Sequence, residues 1–455
     1  MDDFLNNRIK QVVRHGPVVF GLLVCLVAAL LYLNIPEEPT YWKNYSDSWD
    51  YLHQSEMPFF SSDFFFPSAD DSIKFDARPF TVPLIFKLCG QNVDAIIIVQ
   101  KLLLSLSTLF LALSLFLYVP KNWVRYFLTA SLFTLISWWN ILGWTKMLLS
   151  ESISMSLLFI WLSSFLWYFK KPSYIRLLVH MVVMVLFSFT RDNWPYFLLI
   201  FYGMILLIAL FWNRKILKHS LLTIGVITAV FFIQQRSAQA GHRYQLPVIH
   251  NIVMRILPNE AYTQWFAARG MPCIDSLKAN FSDCTNENKK VYKLYRNPDY
   301  REFLDWVKKE GKETYTRFII SHPSRLLLIN EPIKLRKEIF AHDLSYPGRP
   351  LGPGLWVKGL FPLFGSWFVV GLGLLCSLLF FMSKDLRFLL PPVLIILTTG
   401  NALILYNADA MEVGRHLFIT RILMELIGFI SISLVLGSEY PKRLFQIFLG
   451  NRAKS

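Results

Sequence analysis

Charged residues are scarce in this sequence, at 17% of 455 residues, whereas soluble globular proteins carry about 25%. This deficit, with a hydrophobic content of 54% and a mean hydropathy of +0.41, excludes a disordered chain and an ordinary soluble domain. Cysteine is also scarce, and five residues are too few for a secreted disulfide scaffold. The sequence has no internal repeat and no low-complexity segment. What remains abundant is the long apolar run, which is typical of a polytopic membrane protein.

The apolar runs predict an all-α membrane protein of about ten spans, because a membrane helix needs about 20 mostly apolar residues. We interpret the first run as a retained signal anchor, since it is long for a signal peptide and no small-residue cleavage site follows it. The short polar break at 191–193 makes the fifth and sixth spans the least distinct pair. The predicted spans are 17–35, 95–118, 124–145, 152–169, 175–190, 195–212, 219–236, 359–382, 388–406 and 416–437.

The formal net charge of +15 gives an orientation rather than a nucleic-acid partner. Basic residues of short loops favour the cytoplasmic side, and every alternate loop carries them, as do both termini. Both termini are therefore expected in the cytoplasm, and any excess of cations suits anionic membrane lipids. The basic residues on this side are Arg8, Lys10, Arg14, Lys121, Arg125, Lys170, Lys171, Arg176, Arg214, Lys215, Lys218, Lys384, Arg387, Lys442, Arg443, Arg452 and Lys454.

The same topology divides the chain into three parts. A transmembrane module at 1–236 contains a first outer loop at 36–94, and C-terminal transmembrane helices occupy 356–455. Between them, a small and mainly α-helical outer domain is predicted at 237–355, with helices near 297–311 and 313–321. Cys273 and Cys284 lie in this insert, where an oxidising compartment permits either a disulfide or two free thiols.

Ionisable residues gather on the predicted outer side. They are Glu151 at the start of the fourth span, Arg191 and Asp192 after the fifth, and Glu412, Arg415 and His416 before the last. A charge at membrane depth costs about 2.5–3.5 kcal/mol on insertion scales, so it usually faces a cavity or a partner. One interpretation is structural: Arg191 and Arg415 snorkel, or pair with Asp192 and Glu412, and so tie helix ends together. The clustering favours a functional site, because helix-end anchors would be distributed over both faces.

Five short motifs resemble those of the GT-C superfamily of glycosyltransferases, polytopic enzymes similar to protein O-mannosyltransferases and the lipid A aminoarabinose transferase. Together they cover residues 40–420. Two depart from the family pattern, because Ser152 replaces the proline of "S-E-P-L" and the proline of "L-T-R-P" is missing. The matching segments are Asp47-Ser48-Trp49-Asp50-Tyr51, Arg78-Pro79-Phe80-x-x-Pro83, Leu149-Ser150-Glu151, Phe189-Thr190-Arg191 and Gly414-Arg415-His416-Leu417, the last similar to "G-R-Y".

The resemblance implies a sugar donor linked to polyprenyl phosphate and a catalytic base in the first outer loop. By motif position the base is Asp47, with Asp50 as the second candidate. A carboxylate in this role takes the proton of the acceptor hydroxyl as it attacks the anomeric carbon, and direct displacement would invert that carbon. Arginines suit the leaving phosphate because their planar fork binds two oxygens at once. The candidates for the donor phosphate are Arg191, Arg415 and Arg78.

Glu151, Tyr51 and Lys146 are candidates for substrate binding. Glu151 either binds the sugar or joins Asp47 in holding a divalent cation. No cluster has convincing metal-ligand spacing, so a metal is possible but none is assigned. The sequence does not identify the sugar or the acceptor, which is expected to be a glycan, a lipid or a protein. Modification at the sequon of Asn44 would crowd Asp47, which favours a bacterial inner membrane with the site facing the periplasm.

Two other classes of protein fit parts of this pattern. A transporter or flippase of a lipid-linked substrate would use interior arginines, but it predicts ionisable residues near mid-span and repeated halves. An enzyme like an O-antigen ligase or polymerase also uses outer arginines, and it would depend on Arg255, Arg325 and Arg336 of the insert rather than on Asp47. A purely structural membrane component is the remaining class.

Overall fold

A computed structural model describes most of the chain. The predicted first span, the start of the first outer loop, Arg336, Glu412 and the basic C-terminus lie outside the described residues. The described ranges are 46–59, 61–66, 78–119, 121–136, 139–212, 214–284, 290–295, 297–326, 366–411 and 413–438.

Helices, turns and bends make up this described part of the chain, which contains no strand. The first half comprises α1 (Ser46–Glu56), α2 (Ser62–Phe65), α3 (Thr81–Leu88), α4 (Val93–Tyr118), α5 (Asn122–Ile136), α6 (Trp139–Leu142), a 3₁₀ turn (Gly143–Lys146), α7 (Ser150–Lys170), α8 (Tyr174–Ser188), α9 (Trp194–Trp212) and α10 (Arg214–Ala240). The insert and the last helices comprise α11 (Gln245–Asn251), a π-helical turn (Ile252–Ile256), α12 (Glu260–Ala267), α13 (Ile274–Phe281), α14 (Val291–Leu294), a 3₁₀ turn (Pro298–Tyr300), α15 (Arg301–Trp306), a π-helical turn (Val307–Gly311), α16 (Lys312–Ser321), α17 (Pro323–Leu326), α18 (Ser366–Ser383), a 3₁₀ turn (Leu386–Leu389), α19 (Leu390–Ala408), α20 (Val413–His416) and α21 (Phe418–Gly437).

Six of the described helices are long and apolar enough to cross a membrane, so the chain is an all-α, multi-pass membrane protein. These helices match six of the ten predicted spans. Helix α4 packs along α7, α9 packs along α10, and α18, α19 and α21 pack against one another. The spanning segments are Val93–Tyr118, Ser150–Lys170, Trp194–Phe211, Leu217–Ala240, Leu386–Ala408 and Phe418–Gly437.

Two of the other predicted spans are described only in part, and a third is described as a short helix. In the segment predicted at 124–145, α5 is described to Ile136, residues 137–138 lie outside the described residues, and α6 and a 3₁₀ turn follow from Trp139. Helix α8, which corresponds to the span predicted at 175–190, has 15 residues and is about 22 Å long, less than the roughly 30 Å hydrocarbon core. The segment predicted at 359–382 is described only from Ser366, as α18.

Local sequence signals explain where several helices begin. The side chains of Asn92 and Ser173 accept hydrogen bonds from the first-turn amides of α4 and α8, which satisfies donors that a helix leaves unpaired. Pro391 and Pro392 stand in the first turn of α19, the position at which a missing amide hydrogen costs least. These signals fix helix starts at both ends of the bundle.

The insert forms a second, smaller core of its own. Apolar side chains of α11 to α16 pack together there, among them Phe266, Phe303 and Phe318. The two helices predicted near 297–311 and 313–321 are one continuous helical stretch from Pro298 to Ser321, joined by a π-helical turn. Neither Cys273 nor Cys284 is bridged.

The insert is fixed to the end of α19 by polar contacts. Asn251 Nδ2 donates to the carbonyls of Asn407 and Ala408, at 3.2 and 2.9 Å, and the Tyr315 hydroxyl donates to that of Asn407 at 2.8 Å. Arg255 donates to the carbonyl of Tyr406. These carbonyls are the ones that a helix C-terminus leaves without intrahelical donors. The contacts therefore fix the insert against the end of the bundle that carries the ionisable residues.

Candidate functional site

Helix α1 presents two predicted carboxylates on one face. Asp47, Asp50 and Tyr51 stand at positions i, i+3 and i+4, which are neighbours on a helix surface. Arg78 lies against this face, and its Nη2 donates to Asp47 Oδ1 at 2.8 Å and to Asp50 Oδ2 at 2.5 Å. Its guanidinium carbon is also 5.4 Å from the centre of the Tyr51 ring. Residues about thirty positions apart in the first outer loop are thus brought together.

Arg78 is held in this position by Gln54, a residue that the sequence analysis missed. Gln54 Nε2 donates to the Arg78 carbonyl at 2.9 Å, and the Arg78 amide donates to Gln54 Oε1 at 2.7 Å. Gln54 also donates to the Phe64 carbonyl and is fully buried. Gln54 is neutral and lies in a segment that the sequence predicts as a loop, so no sequence pattern indicates this role. Only the fold reveals that it fixes the backbone of Arg78.

Arg415 joins the first outer loop to the helix bundle. Its Nη2 donates to Asp47 Oδ2 and its Nε donates to Glu151 Oε1, both at 2.7 Å. Glu151 is fully buried in the first turn of α7, where the positive end of the helix dipole favours a carboxylate. One guanidinium therefore links carboxylates that are 104 positions apart in the sequence numbering, Asp47 and Glu151.

Arg191 lies on the other side of Glu151, with Nη2 at 3.7 Å from Glu151 Oε1. The same nitrogen donates to His416 Nδ1 at 2.9 Å. His416 Nε2 in turn lies 3.8 Å from Asp409 Oδ2. The charged network thus continues past the arginines to the connection between α19 and α20.

From Asp409 the network enters the insert. Asp409 Oδ1 is 2.8 Å from His250 Nδ1, and His250 Nε2 is 2.7 Å from the Tyr295 hydroxyl. Sequence reasoning assigned no role to His250, Asp409 or Tyr295. The short spacing of Asp409 and His416 before the last span was the only sequence feature that could have indicated this part of the network. We refer to Asp50, Arg78, Asp47, Arg415, Glu151, Arg191, His416, Asp409, His250 and Tyr295 as the polar chain.

Charges alternate along the first part of the polar chain and keep its groups ionised. Burial raises the pKa of Asp47, but the guanidinium groups of Arg78 and Arg415 outweigh it and hold the pKa well below its usual value. Burial lowers the pKa of Arg78, but Asp47, Tyr51 and Asp50 raise it overall. Asp47 is therefore an anion and Arg78 a cation throughout the physiological range.

His416 behaves differently. Burial, the guanidinium of Arg191 and that of Arg415 lower its pKa to about 4, against the opposing effect of Asp409. Its ring is consequently neutral near pH 7. Because Arg191 can only donate, His416 Nδ1 is the acceptor, and the ring hydrogen is on Nε2, which faces Asp409.

The two remaining predicted binding residues are buried close to this cluster. Tyr51 is hydrogen bonded to Ser150 at the start of α7, and burial raises its pKa. Lys146 is buried in the 3₁₀ turn that precedes α7. Within the described residues, Glu151 Oε2 and the hydroxyls of Ser48 and Ser152 are buried without a hydrogen-bond partner. Buried polar atoms of this kind are uncommon, and they lie on the two helices that carry the carboxylates.

Arg191 does not pair with Asp192 as the structural interpretation predicts, and Glu412, the predicted partner of Arg415, lies outside the described residues. Asp192 pairs with Arg243, whose Nε and Nη2 donate to its two oxygens at 3.0 and 2.9 Å, and Gln234 donates to it at 2.6 Å. Arg191 is directed towards Glu151 and His416 instead. Arg243 was not found from the sequence, and its contact ties the start of the insert to the α8–α9 connection.

The question of a metal concerns the same carboxylates. Within the described ranges, no group of three or more His, Cys, Asp and Glu side chains is arranged to hold a metal ion. Between Asp47 and Glu151, where a divalent cation is one of the two predicted possibilities, lies the guanidinium of Arg415. In this arrangement an organic cation bridges the two acids.

Two comparisons with known proteins were made for the whole chain. Neither the comparison with protein-family models nor the comparison with curated proteins finds a match. A functional conclusion therefore depends on the geometry and chemistry of the polar chain itself.

Proposed function

We propose that the protein is a membrane glycosyltransferase of the GT-C type, which moves a sugar from a polyprenyl-phosphate donor to an acceptor on the outer face of the membrane. The observation that carries the proposal is the convergence of Arg78, Arg191 and Arg415 at one end of an apolar helix bundle. This is the level at which a lipid-anchored phosphate lies when its tail is in the bilayer. Arginine forks in a partly dry site bind phosphate oxygens and stabilise developing charge.

The cluster is also accessible to a ligand. The side chains of Asp47 and Arg78 are 23% and 22% exposed, and that of Arg415 is 13% exposed. Glu151, behind them, is fully buried. A substrate thus meets Asp47 and the arginines first, while Glu151 keeps Arg415 and Arg191 oriented from below.

In the proposed reaction Asp47 is the general base, with Asp50 as the second candidate. The acceptor oxygen bonds to the anomeric carbon, its proton goes to the carboxylate, and the carbon–oxygen bond to phosphate breaks with its electron pair on the phosphate. The anomeric configuration inverts. An ion-paired carboxylate with a low pKa is a weak base. A donor phosphate that draws Arg78 and Arg415 away from Asp47 raises its basicity, so the base becomes active only when the donor is bound.

The proposed substrate-binding residues lie within the same region. Glu151 Oε2, unpartnered and buried beneath Arg415, is suited to accept a hydrogen bond from a sugar hydroxyl. Tyr51 packs beside Arg78 and offers an aromatic face next to the phosphate site. Lys146 would add a cation at the start of α7. The same arrangement is compatible with a glycan, a lipid or a protein as acceptor.

The test is the release of polyprenyl phosphate from membranes that contain the protein. Donors are a panel of polyprenyl-phosphate monosaccharides, and native envelope extract supplies the acceptor. We expect release with one donor, and a loss of about 10²–10⁴-fold in Asp47→Asn, the usual contribution of a positioned base. Asp63→Asn is the matched control, since Asp63 is an exposed acid in the same loop. Unchanged release in Asp47→Asn moves the base to Asp50, and no release with any donor contradicts the proposal.

The transporter alternative has one structural observation in its favour. Two charged side chains, Lys101 and Glu425, lie inside α4 and α21 rather than at their ends. Ionisable residues at such depth often mark a substrate or ion path. Flipping of a fluorescent polyprenyl phosphate in proteoliposomes, with Glu425→Gln as the variant, tests this alternative. Flipping that depends on Glu425 but not on Asp47 would favour it.

A further inference from the structure

His416 lies where the polar chain changes from ion pairs to histidines. Its Nδ1 accepts a hydrogen bond from Arg191, and its Nε2 faces Asp409. The side chain is 24% exposed, so a ligand bound to Arg191 can also reach the ring. Because Arg191 occupies Nδ1, the ring has no proton on that side. This geometry depends on Arg191 keeping its present hydrogen bond.

The charges of the cluster balance only while no anionic ligand is present. Asp47, Asp50 and Glu151 are neutralised by Arg78, Arg191 and Arg415. A sugar-linked polyprenyl phosphate is a phosphodiester, and it adds one negative charge to this partly buried site. A buried charge without a counter-charge is costly. The site therefore gains stability if a proton enters together with the ligand.

The surroundings of His416 determine where this proton goes. Arg191 from the α8–α9 connection and the adjacent Arg415 oppose protonation of the ring. Asp409 from the α19–α20 connection and Glu151 from α7 favour it. A phosphate that accepts hydrogen bonds from Arg191 and Arg415 offsets their charges and releases Nδ1. The opposing groups are thereby neutralised while the favouring ones remain.

We propose that His416 takes up a proton from solvent when the donor phosphate binds, and that the resulting imidazolium binds the phosphate through Nδ1–H. This inference rests on the proposed function and deepens it, because it adds an imidazolium to the three arginines that bind the phosphate. When the anomeric carbon–oxygen bond breaks, the phosphate gains a second negative charge. The imidazolium is then in place to stabilise that charge by a charge-assisted hydrogen bond.

The experiment measures proton uptake on binding of farnesyl methyl phosphate, a phosphodiester that does not itself titrate near neutrality. Calorimetry in buffers of different ionisation enthalpy, at about pH 6, counts the protons. For the wild type we expect uptake approaching one proton and an affinity that rises up to about tenfold per pH unit on acidification. His416→Gln is expected to bind without proton uptake. His53→Gln, an exposed histidine on α1, is the control and should keep the uptake of the wild type.

Two results would overturn the inference while leaving the proposed function intact. They are binding by the wild type without proton uptake, and equal uptake by the wild type and His416→Gln. A folded wild type that does not bind the probe at any pH removes the donor phosphate site, and the inference with it. If His416→Gln does not fold, the ¹⁵N NMR spectrum of wild-type histidines decides. A new imidazolium signal on binding supports the inference, and its absence overturns it.

Discussion

The two ends of the helix bundle use the same kinds of residue in opposite ways. At the end opposite the candidate site, basic side chains reach backbone carbonyls: Lys121 donates to Ser438, Lys170 to Leu117 and Arg125 to Val119. At the site end, arginines bind carboxylates of distant segments. Cations on helix C-terminal carbonyls match the helix dipole and stabilise ends. Arginines held by buried acids cost desolvation and add little net stability.

The comparison separates residues that set topology from residues to which we assign chemistry. Within the described connections at the basic end, Asp385 is the acid that pairs with a cation, binding Arg387 two residues away. At the site end, the pairs join residues up to 368 positions apart. A local pair does not need the fold, whereas a distant pair exists only because the fold builds it. The predictions that follow compare variants at the two ends.

The largest difference is expected for the acids themselves. Glu151→Gln leaves Arg415 and Arg191 without their shared buried acid, and breaking such a pair typically costs about 3–5 kcal/mol. Asp385→Asn at the basic end removes a partly exposed local pair and should cost about 1 kcal/mol or less. The free energy of unfolding in an SDS titration measures both. Equal losses would remove the distinction between the two ends.

Replacing an arginine by lysine tests geometry at constant charge. Arg415→Lys keeps one positive charge but cannot bridge Asp47 and Glu151 with a planar fork. We expect donor turnover to fall by about 10²–10³-fold, as for the loss of a preorganised donor at a reacting oxyanion. Arg125→Lys at the basic end should leave turnover within about twofold. A fully active Arg415→Lys would mean that charge alone, and not the fork, is required.

Gln54 allows a finer test of how the site is positioned. Gln54→Leu removes both hydrogen bonds to the backbone of Arg78 and leaves its buried amide and carbonyl unpaired, at a cost of about 2 kcal/mol. Binding of the phosphodiester probe should weaken together with stability. Gln91→Leu is a matched control, because Gln91 donates to a backbone carbonyl in the same loop, that of Ser55. If the two variants weaken binding equally, Gln54 has no special role.

The smallest effect concerns pH and His416. The pKa of His416 in the folded protein, about 4, lies below its usual value. Below about pH 6.5 the unfolded chain therefore takes up a proton at this residue while the folded protein does not, so the free energy of unfolding decreases as pH falls. Between about pH 7 and 5.5 the wild type should lose about 1 kcal/mol through this residue. In His416→Gln the decrease over this pH range should be smaller by that amount. Asp47, with its lowered pKa, titrates below this window and does not contribute to it.

The sequence was sufficient for most of the helices and for the location of the charged residues. Apolar runs of about 20 residues predicted the six long helices because hydrocarbon excludes unpaired backbone groups. The spans predicted at 17–35, 124–145 and 359–382 lie wholly or partly outside the described residues and stay predictions. Alternation of basic loops correctly grouped Lys121, Lys170 and Lys384 at one end.

The sequence could not indicate which side chains of the site contact each other. Charge and motif position indicated Asp47, Arg191 and Arg415, since ionised groups beside a membrane are rare enough to attract attention. Gln54 and Tyr295 are neutral and have no such signal. The pairing of Asp192 with Arg243 rather than Arg191 follows from the placement of the insert, which no local pattern encodes.

The most direct measurement is a cryo-EM structure of the protein with a polyprenyl-phosphate monosaccharide bound. We expect the phosphate oxygens within about 3 Å of the guanidinium nitrogens of Arg191 and Arg415, with the Arg415–Asp47 ion pair broken and Asp47 facing the anomeric carbon. A phosphate bound at the basic end, or one that leaves the Arg415–Asp47 pair intact and contacts none of the three arginines, would contradict the account.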